Sequence, residues 1–292
     1  MRNKFIGTGT AIVTPFHKDG SIDFKSFEKL IEFQLQNGIK YIVFLGTTGE
    51  AVTLNHDERK AIINMAVEMV AGRVPVVVGI GGNNTQEIVN TIRSTDFDGI
   101  DAILSVSPYY NKPQQKGIFL HYKTVAGESP LPIIIYNVPS RTGSNMTAET
   151  TLRIAHEIPN VMAIKEANRD FIQVGRIIKD KPKDFLVISG DDVSALPFMA
   201  LGGDGVISVI SNALPAEFSK MINLCLKREF DAAREISFKL MDIIDGIYAD
   251  GSPSGIKAVL EAKGLCNNVV RLPLVKINKS LQNQLVQYLE KF

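Results

Sequence analysis

The chain has 292 residues, of which 45% are hydrophobic and 22% charged, a globular balance that excludes disorder. Thirty-two basic residues against thirty-one acidic ones leave a formal charge of +1, so bulk charge gives no reason to expect a nucleic-acid or anionic-membrane partner. No run of ~18 apolar residues occurs, so no membrane span is expected. Met1-Arg2-Asn3-Lys4-Phe5-Ile6-Gly7 lacks the apolar stretch of a signal peptide. Cys225 and Cys266 form no CxxC and have no histidine at zinc-finger spacing. Two reduced structural thiols in a cytoplasmic protein are expected.

Short apolar runs alternate with stretches of helical periodicity. The strand candidates begin with Thr10 to Pro15, Tyr41 to Gly46, Pro75 to Gly79 and Ala102 to Val106. Ile133 to Asn137, Val161 to Lys165, Phe185 to Gly190 and Gly205 to Ser208 complete the series. Asp23, before Phe24, Phe27, Leu30 and Ile31, marks a helix start, and Asn84-Thr85-x-Glu87 resembles a capping box. Eight strands spaced roughly 20 to 35 residues apart are the rhythm of βα units, and eight units argue for a closed (β/α)8 TIM barrel over an open sheet. After about residue 212 the strands stop. Pro215 to Glu229, Asp231 to Ala249, Ser254 to Lys263 and Ile277 to Leu289 read as helices. The expected division is a catalytic barrel over residues 1–225 and a C-terminal helical appendage over 226–292.

All strands of such a barrel point one way, so residues at their C-terminal ends converge on one face, where active sites lie. Polar residues break the apolar pattern at those ends: Thr47 and Thr48, Tyr109 and Tyr110, Tyr136, Arg141 in the following loop, Lys165 and Gly190. Lys165 closes the run Val161-Met162-Ala163-Ile164. A lysine there either marks where the strand surfaces or is desolvated, hence partly neutral and nucleophilic towards ketones. The Gly46-Thr47-Thr48-Gly49-Glu50 turn is an ordinary βα turn or a cradle for a carboxylate or phosphate. Tyr136 either packs its ring in the core or relays protons near the Lys165 amine. Arg141 is a solvated loop residue or, aimed into the barrel mouth, a bidentate carboxylate clamp. Gly79-Ile80-Gly81-Gly82-Asn83-Asn84 lacks the third glycine of a dinucleotide fingerprint, so nicotinamide binding is rejected. His17, His56, His121 and His156 are scattered and give no metal-ligand spacing; His17, His121 and His156 read as surface or packing residues.

Gly46-Thr47-Thr48-Gly49-Glu50, Ser107-Pro108-Tyr109-Tyr110-Asn111, Tyr136-Asn137-Val138-Pro139-Ser140-Arg141-Thr142-Gly143 and Ile164-Lys165-Glu166-Ala167 resemble, in order, the motifs of the dihydrodipicolinate synthase family. That family is also called 4-hydroxy-tetrahydrodipicolinate synthase and belongs to the pyruvate-dependent class I aldolase and N-acetylneuraminate lyase superfamily. The likeness runs through Gly190-Asp191-Asp192 and Gly205-Val206-Ile207-Ser208 into the tail. It implies condensation of pyruvate with L-aspartate-4-semialdehyde in the diaminopimelate route to lysine, with no cofactor and no metal. By the resemblance, Lys165 would form the pyruvate imine, and Thr48, Tyr136 and Tyr110 would relay protons. Tyr110 would reach in from a neighbouring subunit of a homo-oligomer, commonly a tetramer. Thr47 and Thr48 would hold the pyruvate carboxylate and Arg141 that of the semialdehyde, while Gly190 and Ile207 would line the pocket through backbone carbonyls. The nearest alternative is another pyruvate-imine lyase, such as N-acetylneuraminate lyase or a keto-sugar-acid aldolase.

In lysine-inhibited relatives the resemblance implies an allosteric pocket at positions matching Ala51, Val52, His56, Arg59, Asn83, Glu87 and Tyr109. Ala51 stands where the sensitive enzymes have serine, and Arg59 where they have histidine. The added positive charge repels a cationic ligand. Weak or absent lysine inhibition is therefore expected.

Overall fold

The computed structural model describes residues 2–292. Eight parallel strands close on themselves in chain order: β1 (Gly7–Ala11), β2 (Tyr41–Phe44), β3 (Val76–Gly79), β4 (Ala102–Val106), β5 (Ile133–Asn137), β6 (Val161–Glu166), β7 (Leu186–Ser189) and β8 (Gly205–Ser208). Between them run α1 (Phe24–Gln36), α2 (His56–Val70), α3 (Thr85–Ser94), α4 (Gln115–Glu128), α5 (Pro139–Thr142), α6 (Ala148–Glu157), α7 (Phe171–Asp180) and α8 (Ala195–Ala200). Four helices follow the last strand: α9 (Pro215–Leu226), α10 (Phe230–Ala249), α11 (Ser254–Ala262) and α12 (Lys279–Leu289). This is the TIM barrel with C-terminal helices that the alternating pattern predicts.

Local chemistry explains several boundaries. Asp23 caps α1 by accepting from the Ser26 amide. Asn55 and Glu58 form a reciprocal capping box at the start of α2. The box expected at Asn84 and Glu87 does not form, because Asn84 accepts from the Gln86 amide instead. The first strand also differs from expectation, lying over Gly7–Ala11 rather than Thr10–Pro15. Its Gly-Thr-Gly-Thr sequence has no apolar signal. The ladder to β8 nevertheless begins at Gly7, and beyond Ala11 the chain leaves the sheet, with the Val13 amide donating to the Asn212 side chain.

Two apolar layers result. One lies between the strands and the helices. The other fills the barrel and includes Phe5, Tyr41, Val43, Val77, Leu104, Ile134, Tyr136, Ile188 and Ile207. The strand interiors are buried on both faces, as a parallel sheet sheathed by helices requires.

β6 carries an irregularity that matters for the site. Its pairing with β5 passes from Ile133↔Val161 to Ile134↔Ala163, skipping Met162. Met162 and Ala163 both belong to the interior layer, whereas Val161 and Ile164 face the helices. Strict alternation from Val161 would turn residue 165 outward; the extra residue turns it inward.

At the opposite end of the barrel the Tyr41 ring is fully buried and packs edge-on against Phe5, with centroids 5.4 Å apart. A Cβ at Gly9 would sit 2.2 Å from that ring. Gly9→Ala is therefore expected to destabilise the fold by about 1–3 kcal/mol through overpacking, read as a lower midpoint of thermal unfolding. An unchanged midpoint would mean that the ring moves freely.

Candidate active site

The sheet register brings Tyr136 of β5 directly beside Lys165 of β6, and Lys165 beside Ile188 of β7. The Lys165 ammonium nitrogen lies 4.3 Å from the centroid of the Tyr136 ring. Both side chains are about 6% exposed. Burial, the dominant cause, lowers the Lys165 pKa to about 8; the Arg141 guanidinium pushes the same way, and the Asp192 carboxylate pulls back up. Burial also raises the Tyr136 phenol to about 12, with Arg141 and the Thr47 hydroxyl opposing that shift and Glu166 and Asp191 adding to it. The lysine is poised to lose its proton and the phenol to keep it.

Gly190, at the end of β7, leaves the lysine its room. A Cβ there would lie 3.0 Å from the Lys165 Cε and 3.1 Å from its Cγ. Any side chain at 190 would press on the amine-bearing arm.

The reverse faces of the same strands are fixed by a polar clamp. Glu166, the residue after Lys165, points towards the helices and is buried. Its carboxylate accepts from the Asn137 amide group at 3.0 Å to each oxygen, from the Gln173 side chain at 3.1 Å and from the Asn168 backbone at 2.7 Å. Burial raises its pKa to about 7 against these donors. Asn137 and Glu166 are register partners, so the clamp fastens β5 to β6 immediately beside Tyr136 and Lys165. Asp192 is held as firmly. One of its carboxylate oxygens accepts from the amides of Val209 and Ile210, both at 2.9 Å, and from the Tyr248 hydroxyl of α10 at 3.0 Å.

A cavity of about 1110 Å³ opens at this mouth. Thr47, Tyr136 and Arg141 line it together, whereas Lys165, Thr48, Gly190 and Ile207 lie outside its lining. Thr47 and Arg141 are solvent-exposed, while Thr48 is buried in the loop beside Thr47. Ile207 is buried in the barrel interior with Tyr136. Tyr110 is not brought in: it is 87% exposed, and it is not part of the cavity lining. Its backbone adopts a left-handed conformation, φ 74°, with its amide donating to the Thr142 carbonyl. Ala51, Val52, His56, Arg59, Asn83, Glu87 and Tyr109 line the outer part of the same cavity. There Arg59 donates to the Ala51 carbonyl at 2.8 Å and Asn83 to the Tyr109 carbonyl at 3.4 Å.

Of the other residues singled out in the sequence, His17 and His156 are exposed, and His121 is buried with its ring bonded to the Thr85 hydroxyl at 2.8 Å. Cys225 and Cys266 are unpaired and buried. Among the described residues no group of three or more His, Cys, Asp or Glu side chains is arranged to hold a metal ion, and no helix is long and apolar enough to cross a membrane. Sequence reasoning missed Asp192 and Glu50 as supports of the site, although both stand inside motifs it had marked. It also missed Lys257, a lone lysine in the apolar run Ile256–Leu260 and thus the same signal that picked out Lys165.

A TIM barrel with a desolvated lysine beside a tyrosine ring at its C-terminal face has the groups that imine chemistry requires. The profile of the Dihydrodipicolinate synthetase family matches residues 4–292, and the chain belongs to that family. It is 50% identical over 281 residues to the 4-hydroxy-tetrahydrodipicolinate synthase of Flavobacterium psychrophilum, covering 96% of each chain. It is 52% identical over 269 residues to that of Parabacteroides distasonis, covering 92% of this chain and 91% of the other. Its structure superposes on the dihydrodipicolinate synthase of Thermotoga maritima with a TM-score of 0.96 at 39% identity, covering 99% and 98% of the two chains.

Because only a neutral amine adds to a ketone and the neutral fraction of Lys165 grows as pH rises through about 8, borohydride trapping of an α-keto acid on the protein is expected to accelerate with pH. The rate should climb about tenfold per unit below that value and level off above it. A rate that keeps climbing past pH 8 towards the ordinary lysine value of 10.5 would show that the folded protein does not lower the pKa of Lys165.

Proposed function

We propose that this protein condenses pyruvate with L-aspartate-4-semialdehyde through a Schiff base on Lys165, giving 4-hydroxy-tetrahydrodipicolinate for diaminopimelate and lysine biosynthesis. The observation that carries this reading is the buried Lys165 amine against the Tyr136 ring, with Arg141 at the open side of the cavity, in a chain of this family.

The neutral amine attacks the pyruvate ketone, and loss of water leaves an iminium whose positive charge the Asp192 carboxylate favours. The iminium withdraws electrons from the adjacent methyl group, which gives up a proton to form an enamine. The enamine carbon attacks the aldehyde carbon, making the new carbon–carbon bond, and the aldehyde oxygen takes up a proton. Attack of the second substrate's own amino group on the imine carbon frees Lys165 and closes the ring. Tyr136 and Thr48, with Tyr110, move these protons. A phenol held near 12 keeps its proton at neutral pH and is able to donate it.

In this reading Thr47 and Thr48 receive the pyruvate carboxylate. Arg141 offers a planar pair of donors to the carboxylate of the semialdehyde. Gly190 and Ile207 contribute backbone carbonyls. The exposure of Tyr110 suits a residue completing the site of a neighbouring subunit, so the working protein is read as a homo-oligomer, a tetramer by family resemblance. A cytoplasmic location agrees with two buried, unpaired cysteines.

The test is consumption of pyruvate with the semialdehyde as acceptor. Lys165→Ala is expected to lose turnover by about 10³-fold or more, since no other group supplies the electron sink. Arg141→Ala should lose it chiefly through a higher KM for the semialdehyde. If the parent protein fails to turn over this pair but cleaves or forms a sugar acid from pyruvate, the alternative lyase reading replaces this one.

The pocket residues around Arg59 support a second expectation, weak or absent feedback by lysine. The guanidinium stands in the outer cavity and opposes a cationic ligand. A lysine titration of the turnover assay should show no half-inhibition below about millimolar concentration. Sub-millimolar half-inhibition would refute it.

A further inference from the structure

The Gly46–Glu50 turn that carries Thr47 and Thr48 is tied to the C-terminal helices by a buried ion pair. Glu50 is 2% exposed and Lys257, on α11, 0%. The Lys257 ammonium donates to one Glu50 oxygen at 2.5 Å and to the Val269 carbonyl at 2.7 Å, and it lies 4.2 Å from the centre of the Phe16 ring. The other Glu50 oxygen accepts the Arg271 amide at 2.9 Å. The Arg271 side chain in turn bonds Glu58, Gly20 and Thr53, so the segment from Val269 to Arg271 is pinned to the same side of the barrel mouth.

The turn needs such an anchor. Leu45 and Glu50, which bracket it, both have left-handed backbones, φ 55° and 53°. Non-glycine residues hold that conformation only where their surroundings over-determine it. The Thr14 hydroxyl fixes the turn from inside the barrel by donating to the Gly49 carbonyl at 2.7 Å. The Glu50 carboxylate fixes it from outside. The partner charge comes from 207 residues further along the chain. Loss of either charge would leave the other buried without its counter-ion.

We propose that Glu50 and Lys257 are positioning residues for the pyruvate-carboxylate loop, so that the C-terminal helices set the affinity of the site for its α-keto acid. This rests on the reading of Thr47 and Thr48 given above. Neither residue touches the substrate; both act through the backbone that presents the two threonines. Misplacement of a binding group by about an ångström costs up to two orders of magnitude in rate, so a loosened loop should weaken the kinetics of pyruvate more than those of the semialdehyde.

The experiment compares the parent, Glu50→Gln/Lys257→Met, Glu50→Asp and, as a marker of lost carboxylate binding, Thr47→Val. The double variant removes both charges and so leaves no buried ion unpaired, while Glu50→Asp keeps both charges and shortens the reach by one methylene. Each is followed by the pyruvate concentration that half-saturates borohydride trapping, by kcat/KM for each substrate and by thermal midpoint. In the double variant the half-saturating pyruvate concentration should rise about tenfold or more, as in Thr47→Val, and kcat/KM should fall further for pyruvate than for the semialdehyde. Glu50→Asp should fall between the two, and it carries the test if the double variant does not fold. A folded variant that binds pyruvate as the parent does would overturn the inference, as would parallel losses for both substrates. Absence of any pyruvate adduct on the parent would instead overturn the reading of the site, and this inference with it.

Discussion

The rest of the structure depends on keeping a lysine amine out of water at the barrel mouth. A drop in pKa from 10.5 to about 8 corresponds to about 3 kcal/mol of preference for the neutral amine. That preference exists only if the surroundings exclude solvent and do not collapse. The extra residue in β6 turns Lys165 inward, Gly190 leaves space for its arm, and Tyr136 supplies an apolar wall with a polar tip. Behind it the Asn137–Glu166–Gln173 clamp prevents the two strands from shifting in register. Asp192 adds a remote negative charge that favours a cation without forming an ion pair with the amine, and no ion pair among the described residues includes Lys165.

Lys257 shows how narrow that arrangement is. It too interrupts an apolar run, is buried, and faces an aromatic ring at a similar distance. A carboxylate at 2.5 Å makes it one half of an ion pair, a structural cation rather than a nucleophile. The two lysines differ in what surrounds them: Lys165 stands in no ion pair among the described residues, while Lys257 is paired with Glu50, a residue of left-handed backbone. The same physical quantity, the nearness of a counter-charge in a dry environment, separates the roles.

The barrel was legible because its evidence is local and repeated. Each strand from Tyr41 onward announces itself as an apolar run ended by a turn residue, and eight such runs leave little choice of architecture. The first strand was displaced because Gly7-Thr8-Gly9-Thr10 carries no apolar signal; Gly9 makes room for the Tyr41 ring, a contact 32 positions away. The capping box at Asn84 was misread because the spacing permits two bonding patterns, and only the backbone angle at that residue chooses between them. Among site residues, Lys165, Tyr136, Thr47 and Arg141 were visible as polar breaks at strand ends. Tyr110 was equally visible, yet it is 87% exposed and outside the cavity lining.

By itself the sequence determined the order of elements, the face on which polar residues gather and, through four motifs in register, the family. Those are properties of short segments, carried by periodicity and by residue type. Tertiary structure decided which buried lysine stands outside any ion pair among the described residues and which is held in one, because that depends on groups brought together from β6, β7 and the mouth in one case and from 207 residues apart in the other. It also decided that the lysine of β6 faces inward, since a strand's facing is a matter of register and the extra residue at Met162 leaves no mark in its composition.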